Sequence, residues 1–304
     1  MPAYRAETFI GATIESVLAQ TYSHWELIVL DNNSPDRTGQ IARSFDDPRI
    51  RVEQNRETLE LADNWNAVAA MATAPYLKLL CADDVLHPDC LAEQVAVLER
   101  NPEVALVASR RDFIGSAGEV VLRDRGLSGL IGMQPSDAVV ERVVRSGINP
   151  IGLPAALLLR RSVFVDVGAF DSRWLYPIDL ELSLRMLRKG EFFGLSRSLA
   201  SFRISPASAS STMKHEGNQH REMIRTVAGD PRWTIRRRSL LRGLSLSYVE
   251  TVKKRMLFAA VNSRWRPVRR IPSLFLGAWA GSPRIEDDVE TAGQAAVVLQ
   301  EPRG

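Results

Sequence analysis

The chain holds 304 residues, 45% hydrophobic and 25% charged, and its 39 basic and 36 acidic side chains give a formal net charge of +3. That composition excludes a disordered tail, a collagen-like fibre and a disulfide-stapled mini-protein, and the length suffices to bury a sizeable core. The two cysteines, Cys81 and Cys90, make no disulfide framework and fit a reducing, cytoplasmic compartment. No uncharged run reaches the roughly 18–20 residues of a bilayer span, and the opening residues, with Arg5 and Glu7, do not read as a signal peptide.

Phe9–Gln20 places Ile10, Ile14, Val17 and Leu18 at helical spacing. Trp25–Leu30 is an apolar β-forming run that ends in the turn-rich stretch Asp31–Pro35. Asp36–Phe45 predicts a helix, Arg49–Glu53 a short strand and Leu61–Ala72 an Ala-rich helix. Tyr76–Cys81 predicts a buried strand ending in Ala82, Asp83 and Asp84, followed by a helix over Pro88–Asn101 and a strand over Val104–Ser109. This alternation predicts an α/β, Rossmann-like body, a mostly parallel sheet with helices on both faces. Ligands in such sheets bind at the carboxyl ends of strands, where both acidic turns fall.

Gly115–Ile148 is less regular and Gly-rich, with a helix at Ser136–Arg145. Ala155–Leu159 predicts a strand, Trp174–Lys189 contains a helix with Leu180, Leu184 and Leu187 on one face, and Leu199–Ile204 predicts a last short strand. Ser205–Thr212, nearly all Ser, Ala and Pro, predicts a flexible loop or lid. Beyond about Asp230 the pattern is helical and basic.

Asp83 and Asp84 set two carboxylates side by side at a strand tip, an arrangement that a hard cation such as Mg²⁺ or Mn²⁺ would compensate. Capping of the helix near Pro88 is the simpler alternative. Asp31 is either an acceptor for a nucleobase donor or the start of an Asx-turn. Asp179, just after Pro177, is either a general base or an N-terminal helix cap, and Glu181 should point elsewhere on the same helix. His24, His87, His215 and His220 show no zinc spacing, and no Ser-His-Asp signature, P-loop or dinucleotide-binding glycine motif is present.

Taken in this order, five segments resemble family 2 glycosyltransferases of the GT-A fold: Pro2–Ile10, Ser16–Ser34, Tyr76–Pro88, Val167–Asp171 and Tyr176–Gly190. They cover roughly Met1–Ser211, and the run Q-T-Y…E-L-I-V-L-D-N-N-S followed about 50 residues later by A-D-D-x-x-x-P is a specific combination. The resemblance implies an inverting transferase that uses a nucleotide-sugar donor and a glycan or lipid-linked acceptor in cell-surface polysaccharide biosynthesis. It implies that Pro2 and Tyr4 line the nucleotide pocket and that Asp31 meets the base, with a lean to uracil. Asp83 would approach the ribose, and Asp84, helped by Asp83, would hold the Mg²⁺ or Mn²⁺ that bridges the diphosphate. Asp179 would be the catalytic base, and Arg203 would match the arginine of an R-x-H segment. Residues 1–230 would form the transferase domain, with a nucleotide-binding half (1–110) and an acceptor-binding half (111–230).

Several positions depart from the family pattern. Ile178 replaces the acid before the base, Ser205 stands where a histidine is common, Arg5 replaces an Asn, Glu57 a Gly, and Cys81 an acid or Asn. Only Met1 precedes the P-x-Y element, where the family carries a strand of about five residues. The expectation is a truncated first strand and a true start upstream, because a sheet without it would leave backbone groups unpaired.

The near-neutral total is a cancellation. Arg232–Arg284 holds 13 Lys/Arg against one acid, Glu250, for +12; Ile285–Gly304 carries −4; and residues 1–231 carry −5. Residues 231–284 read as a basic amphipathic helical segment that suits an anionic membrane surface at the inner face of the cytoplasmic membrane. Packing on the body is the alternative, and no nucleic-acid motif accompanies the charge. Residues 285–304 read as an acidic disordered tail. Alternatives to a transferase are an inactive sugar-nucleotide-binding protein and a nucleotidyltransferase; the latter lacks its Gly-rich basic phosphate loop here.

Overall fold

The computed structural model describes residues 1–205 and 216–262. Its first sheet is parallel, in the order β1 (Pro2–Ala3), β2 (Leu27–Asp31), β3 (Ile50–Gln54). Helix α1 (Ile10–Leu18) follows β1, α2 (Thr38–Arg43) follows β2, and α3 (Leu61–Met71) follows β3. Every residue of β2 is buried, as expected of a parallel strand covered on both faces. Helix α1 buries Ile10, Ile14 and Val17, the stripe its spacing predicts.

The second sheet is mixed, with β4 (Tyr76–Leu77), β9 (Leu157–Arg160), β6 (Val104–Ile114), β10 (Glu191–Arg203) and β5 (Val85–Leu86) in that order. Its longest ladder is parallel, β6 with β10, from Val104 opposite Glu191 to Ile114 opposite Arg203. Shorter antiparallel pairings add the remaining strands, with β7 (Val120–Arg125) beside β6 and β8 (Gly132–Gln134) beside β10. The helices are α4 (Cys90–Arg100), α5 (Ser136–Ser146), α6 (Arg161–Val167), α7 (Ile178–Met186), α8 (Glu216–Ala228) and α9 (Arg237–Asn262). The α/β, GT-A-like architecture expected from the sequence is the observed one. Its main core joins Leu106, Leu157 and Leu159 of this sheet to Val140 and Val143 of α5 and Leu180 and Leu184 of α7.

Element bounds differ in ways that matter for the site. Of the strand expected over Tyr76–Cys81, only Tyr76 and Leu77 join a ladder. Lys78 then turns inward, its ammonium donating to the Ala155 and Leu157 carbonyls at 2.7 Å each. Strand β6 runs on to Ile114 and β10 begins at Glu191, so both are longer than their apolar cores suggest. Helices α6 and α8 and strands β5, β7 and β8 were not expected.

Helix α9 is seated on α5 backbone to backbone. Helix α5 ends at Gly147 in the left-handed conformation (φ 69°), and a Cβ there would overlap the Gly243 carbonyl; a Cβ on Gly243 would in turn overlap the Val144 carbonyl. The rest of the basic segment (263–284), the acidic tail (285–304) and most of the proposed lid (206–212) lie outside the described residues. Among the described residues, no helix is long and apolar enough to cross a membrane.

Candidate active site

Where β1 and β2 end and the β4–β5 turn crosses, the surface opens into a cavity of about 730 Å³. Pro2, Tyr4 and Asn32 form one side, Cys81–Asp84 the floor, and Arg111 and Asp179 the far side. The rim beside Asn32 is fixed by amides. Asn32 Oδ1 accepts from Asn55 Nδ2 (2.8 Å) and from the Leu59 N–H (2.9 Å), and its Nδ2 donates to the Leu59 carbonyl (2.8 Å). Asn55 Nδ2 also donates to Asn64 Oδ1 at 3.0 Å.

Asp84 is fully buried. Its Oδ1 accepts the Arg203 backbone N–H at 3.1 Å, while Oδ2 has no hydrogen-bond partner. Burial, and then the neighbouring Asp83 carboxylate, push the Asp84 carboxyl well above the usual range, with Arg203 and Arg111 opposing. Burial also raises Asp83, again against Arg203. Neither residue caps α4, which starts at Cys90. An orphaned carboxylate oxygen facing a neighbouring acid fits a hard divalent cation that takes its remaining ligands from phosphate and water. No cluster of three or more His, Cys, Asp or Glu among the described residues forms a complete protein cage.

The structure places Asp31 differently from Asn32. Its carboxylate accepts the Ser34 N–H at 3.1 Å and lies under α2, where a Cβ on Gly39 would approach Asp31 Oδ2 to 2.6 Å. Asp31 is therefore buried and absent from the cavity lining, in a turn closed three residues on rather than the two of the expected Asx-turn alternative.

Arg203 is also withdrawn from the cavity. Its Nε donates to the Asp83 carbonyl (2.9 Å), its Nη1 to the Gly115 carbonyl (3.0 Å), and its guanidinium lies 4.7 Å from the Phe9 ring centroid. It clamps the acidic turn from behind.

Arg111, on β6, lines the cavity together with Arg5 and Arg125, and is the most buried of the three. It is 7% exposed, and its Nε and Nη1 have no hydrogen-bond partner. Burial lowers its pKa to about 10, with Asp179 and then Asp84 pulling the other way, so it remains charged at neutral pH. Gly126 (φ 93°) makes room for it, since a Cβ there would collide with Arg111 Nη1. Hydropathy gave no sign of this residue; the only sequence signal was a pair of arginines, Arg110 and Arg111, beyond an apolar run.

Asp179 sits in the first turn of α7, half-buried, and accepts from Asn149 Nδ2 at 3.3 Å. Glu181 points away, held by Arg185 Nε at 2.8 Å, and the same arginine gathers the carbonyls of Val167, Gly168 and Ala169. The Cys81 thiol at the floor is kept protonated by burial and by Asp84, Asp83 and Asp179. Helices α8 and α9 close the cavity with His220, Ser247, Glu250 and Thr251, none of which the sequence had singled out for the site.

The chain resembles known proteins both in sequence and in fold. The model of glycosyl transferase family 2 matches residues 1–168. Putative glycosyltransferase EpsE of Bacillus subtilis is 29% identical over 198 residues, covering 62% of this chain and 66% of the relative. The Escherichia coli protein WfgD, named as a UDP-Glc:alpha-D-GlcNAc-diphosphoundecaprenol beta-1,3-glucosyltransferase, is 36% identical over 101 residues, covering 33% of this chain and 40% of WfgD. The chain thus spans less than two thirds of the length of these relatives. Among solved structures, S. aureus TarS 1–349 in complex with UDP-GlcNAc superposes with TM-score 0.62 at 14% identity, covering 91% of this chain and 80% of that one. The mannosyltransferase PcManGT of Pyrobaculum calidifontis, in complex with GDP-Man and Mn²⁺, gives TM-score 0.55 at 16% identity, covering 91% and 76%. These likenesses establish the GT-A fold.

Proposed function

The chain belongs to glycosyl transferase family 2, and from that premise we propose that it transfers a sugar, with inversion, from a UDP-linked donor to a glycan or lipid-linked acceptor in cell-surface polysaccharide biosynthesis. The observation that carries this reading is the convergence of an orphaned Asp84 oxygen, two Arg111 guanidinium nitrogens without hydrogen-bond partners and the Asp179 carboxylate on one cavity. The diphosphoundecaprenol acceptor and UDP-Glc donor in WfgD's name, and the UDP-GlcNAc bound to TarS, support a lipid-linked acceptor and a uridine nucleotide.

Pro2, Tyr4 and Asn32 would receive the nucleoside, and Asp31 would act on the base only through the turn it organises. Asp84 Oδ2, with Asp83, would hold Mg²⁺ or Mn²⁺, which when bound neutralises diphosphate charge; the Mn²⁺ in PcManGT supports that choice. Arg111, rather than Arg203, would donate to the departing diphosphate, because its Nε and Nη1 are both left unmatched at the cavity, where Arg125 leaves only its Nε so. Asp179 takes the proton of the acceptor hydroxyl as that oxygen bonds to the anomeric carbon. The bond from that carbon to the phosphate oxygen breaks from the opposite side, and its electron pair leaves with UDP. Asn149 holds the base in place.

The exposed Leu241, Tyr248, Val252 and Met256 of α9, beside Arg237 and Arg238, support membrane contact of the basic segment. Release of UDP from UDP-sugars with Mn²⁺ and a lipid-diphosphate glycan, wild type against Asp179→Asn, tests the catalytic reading. Turnover in the wild type and its loss in the variant support it, and equal rates overturn it.

A further inference from the structure

The wall that α8 and α9 add to the cavity lies outside the matched residues 1–168, and its chemistry is distinctive. Glu250 is the one acid between Arg232 and Arg284, yet it is 7% exposed and lines the cavity. One carboxylate oxygen accepts from Lys253 Nζ at 3.3 Å; the other, Oε2, is buried without a hydrogen-bond partner. Beside it, the Ser247 hydroxyl donates to the Leu244 carbonyl (2.8 Å) and the Thr251 hydroxyl to the Ser247 carbonyl (2.7 Å). Both hydroxyl protons are therefore committed to the helix, and their lone pairs are what remains. The three side chains together form a surface that accepts hydrogen bonds and offers few.

Glycine contacts set this wall in position. Gly243 docks α9 on α5, so that Ser247, Glu250 and Thr251, four, seven and eight residues on, share one side of the helix. Gly217 brings α8 close, since a Cβ there would approach Thr251 Oγ1 to 2.7 Å. A carboxylate buried at such a junction with one oxygen unmatched is costly unless a ligand donates to it.

We propose that the α8–α9 wall is a sugar subsite, in which Glu250 Oε2 accepts hydrogen bonds from the hydroxyls of the acceptor's terminal sugar, flanked by Ser247 and Thr251. The subsite deepens the transferase reading and rests on it for the identification of the sugar as acceptor. A hydroxyl-rich ring supplies several donors on one face, which match these three acceptors. Selectivity then follows from which hydroxyls are present, because an analogue without the matching donor leaves the carboxylate buried and unpaired.

The test is saturation-transfer NMR on the full chain with the methyl α-glycosides of glucose, galactose and N-acetylglucosamine, in the presence of UDP and Mn²⁺. At least one glycoside is expected to bind the wild type, with about tenfold weaker binding in Glu250→Ala, as for loss of a charged hydrogen-bond acceptor. Glu250→Gln, which keeps one acceptor oxygen, should fall between them, and Ser247→Ala and Thr251→Val should weaken the same glycoside. The UDP-induced rise in melting temperature should persist in all variants. Absence of binding by every glycoside, or equal binding in wild type and Glu250→Ala, overturns the subsite. If UDP fails to stabilise the wild type, the transferase reading fails instead, and Glu250-dependent sugar binding would still stand.

Discussion

Asn149 donates to Asp179 Oδ2 at 3.3 Å while its own Oδ1 accepts the backbone N–H groups of Ile151 and Gly152, each at 3.1 Å. The proposed base is thereby tied to a turn whose backbone folds around a single amide. Replacing Asn149 by Asp would set a like charge against Asp179 and disfavour its ionised form. The acid limb of the pH–rate profile should then move to higher pH, whereas Asn149→Ala should lower kcat without that displacement. Initial-rate profiles between pH 5 and 9 distinguish the two.

Asp179→Asn removes the proton acceptor and leaves the fold's contacts nearly unchanged. A loss in kcat of about 10²–10⁴-fold is expected, typical of general-base removal, with donor KM little altered. A steady-state UDP-release assay reads both quantities.

For Arg111, conservative substitution is the informative one. Arg111→Lys keeps the charge but loses the planar pair of donors, so UDP affinity should fall about tenfold. Uridine, which has no phosphate, should bind both proteins equally. Calorimetric titration with each ligand measures this, and a parallel loss for uridine would show that Arg111 merely supports the pocket.

The acidic turn should make the metal-free protein pH-sensitive. Burial raises both Asp84 and Asp83 above the ordinary carboxylate range, and the Asp83 charge raises Asp84 further, so across that window the folded chain holds protons that the unfolded chain has released. Stability is complete below the ordinary range and declines as pH rises through the raised folded values. Asp84→Asn should flatten that decline and raise Tm at pH 7 in EDTA by a few degrees, about the effect of 1 kcal/mol in a chain of this size. Melting curves with and without Mn²⁺ and UDP check it, because ligand binding should favour the wild type alone.

Gly243→Ala tests the seat of α9. The added methyl would overlap the Val144 carbonyl, a backbone atom with little room to yield. A loss of about 1–3 kcal/mol is expected for such overpacking, read as a lower denaturation midpoint.

Legibility in the sequence followed chemistry more than hydropathy. The α/β alternation through Ser109 was readable because α1, α3 and α4 carry apolar stripes and β2 is a continuous apolar run. Strand β10 was read only from Leu199 onward. Its first half, E-F-F-G-L-S-R-S, mixes polarity, shifts register between Leu195 and Ser198, and contains Gly194, where a Cβ would overlap the Leu130 carbonyl. Asp84 and Asp179 were visible because a strand end and a helix start mark them. Arg111, Asn149 and Glu250 were not, since each takes its meaning from partners far away in sequence. The exchange of Arg203 for Arg111 at the cavity shows the limit: two buried arginines on neighbouring strands differ only in which way their donors face.

The amide lattice of Asn32, Asn55 and Asn64 has a thermodynamic consequence for the nucleotide side of the cavity. Asn55 and Leu59 are already held by this lattice, so an entering ligand need not fix them at about 1–2 kcal/mol of entropy per residue. Nucleotide association on that side should therefore show a heat-capacity change set by the apolar area it covers, without the large extra term of coupled folding. The rim behaves as a template rather than a flap.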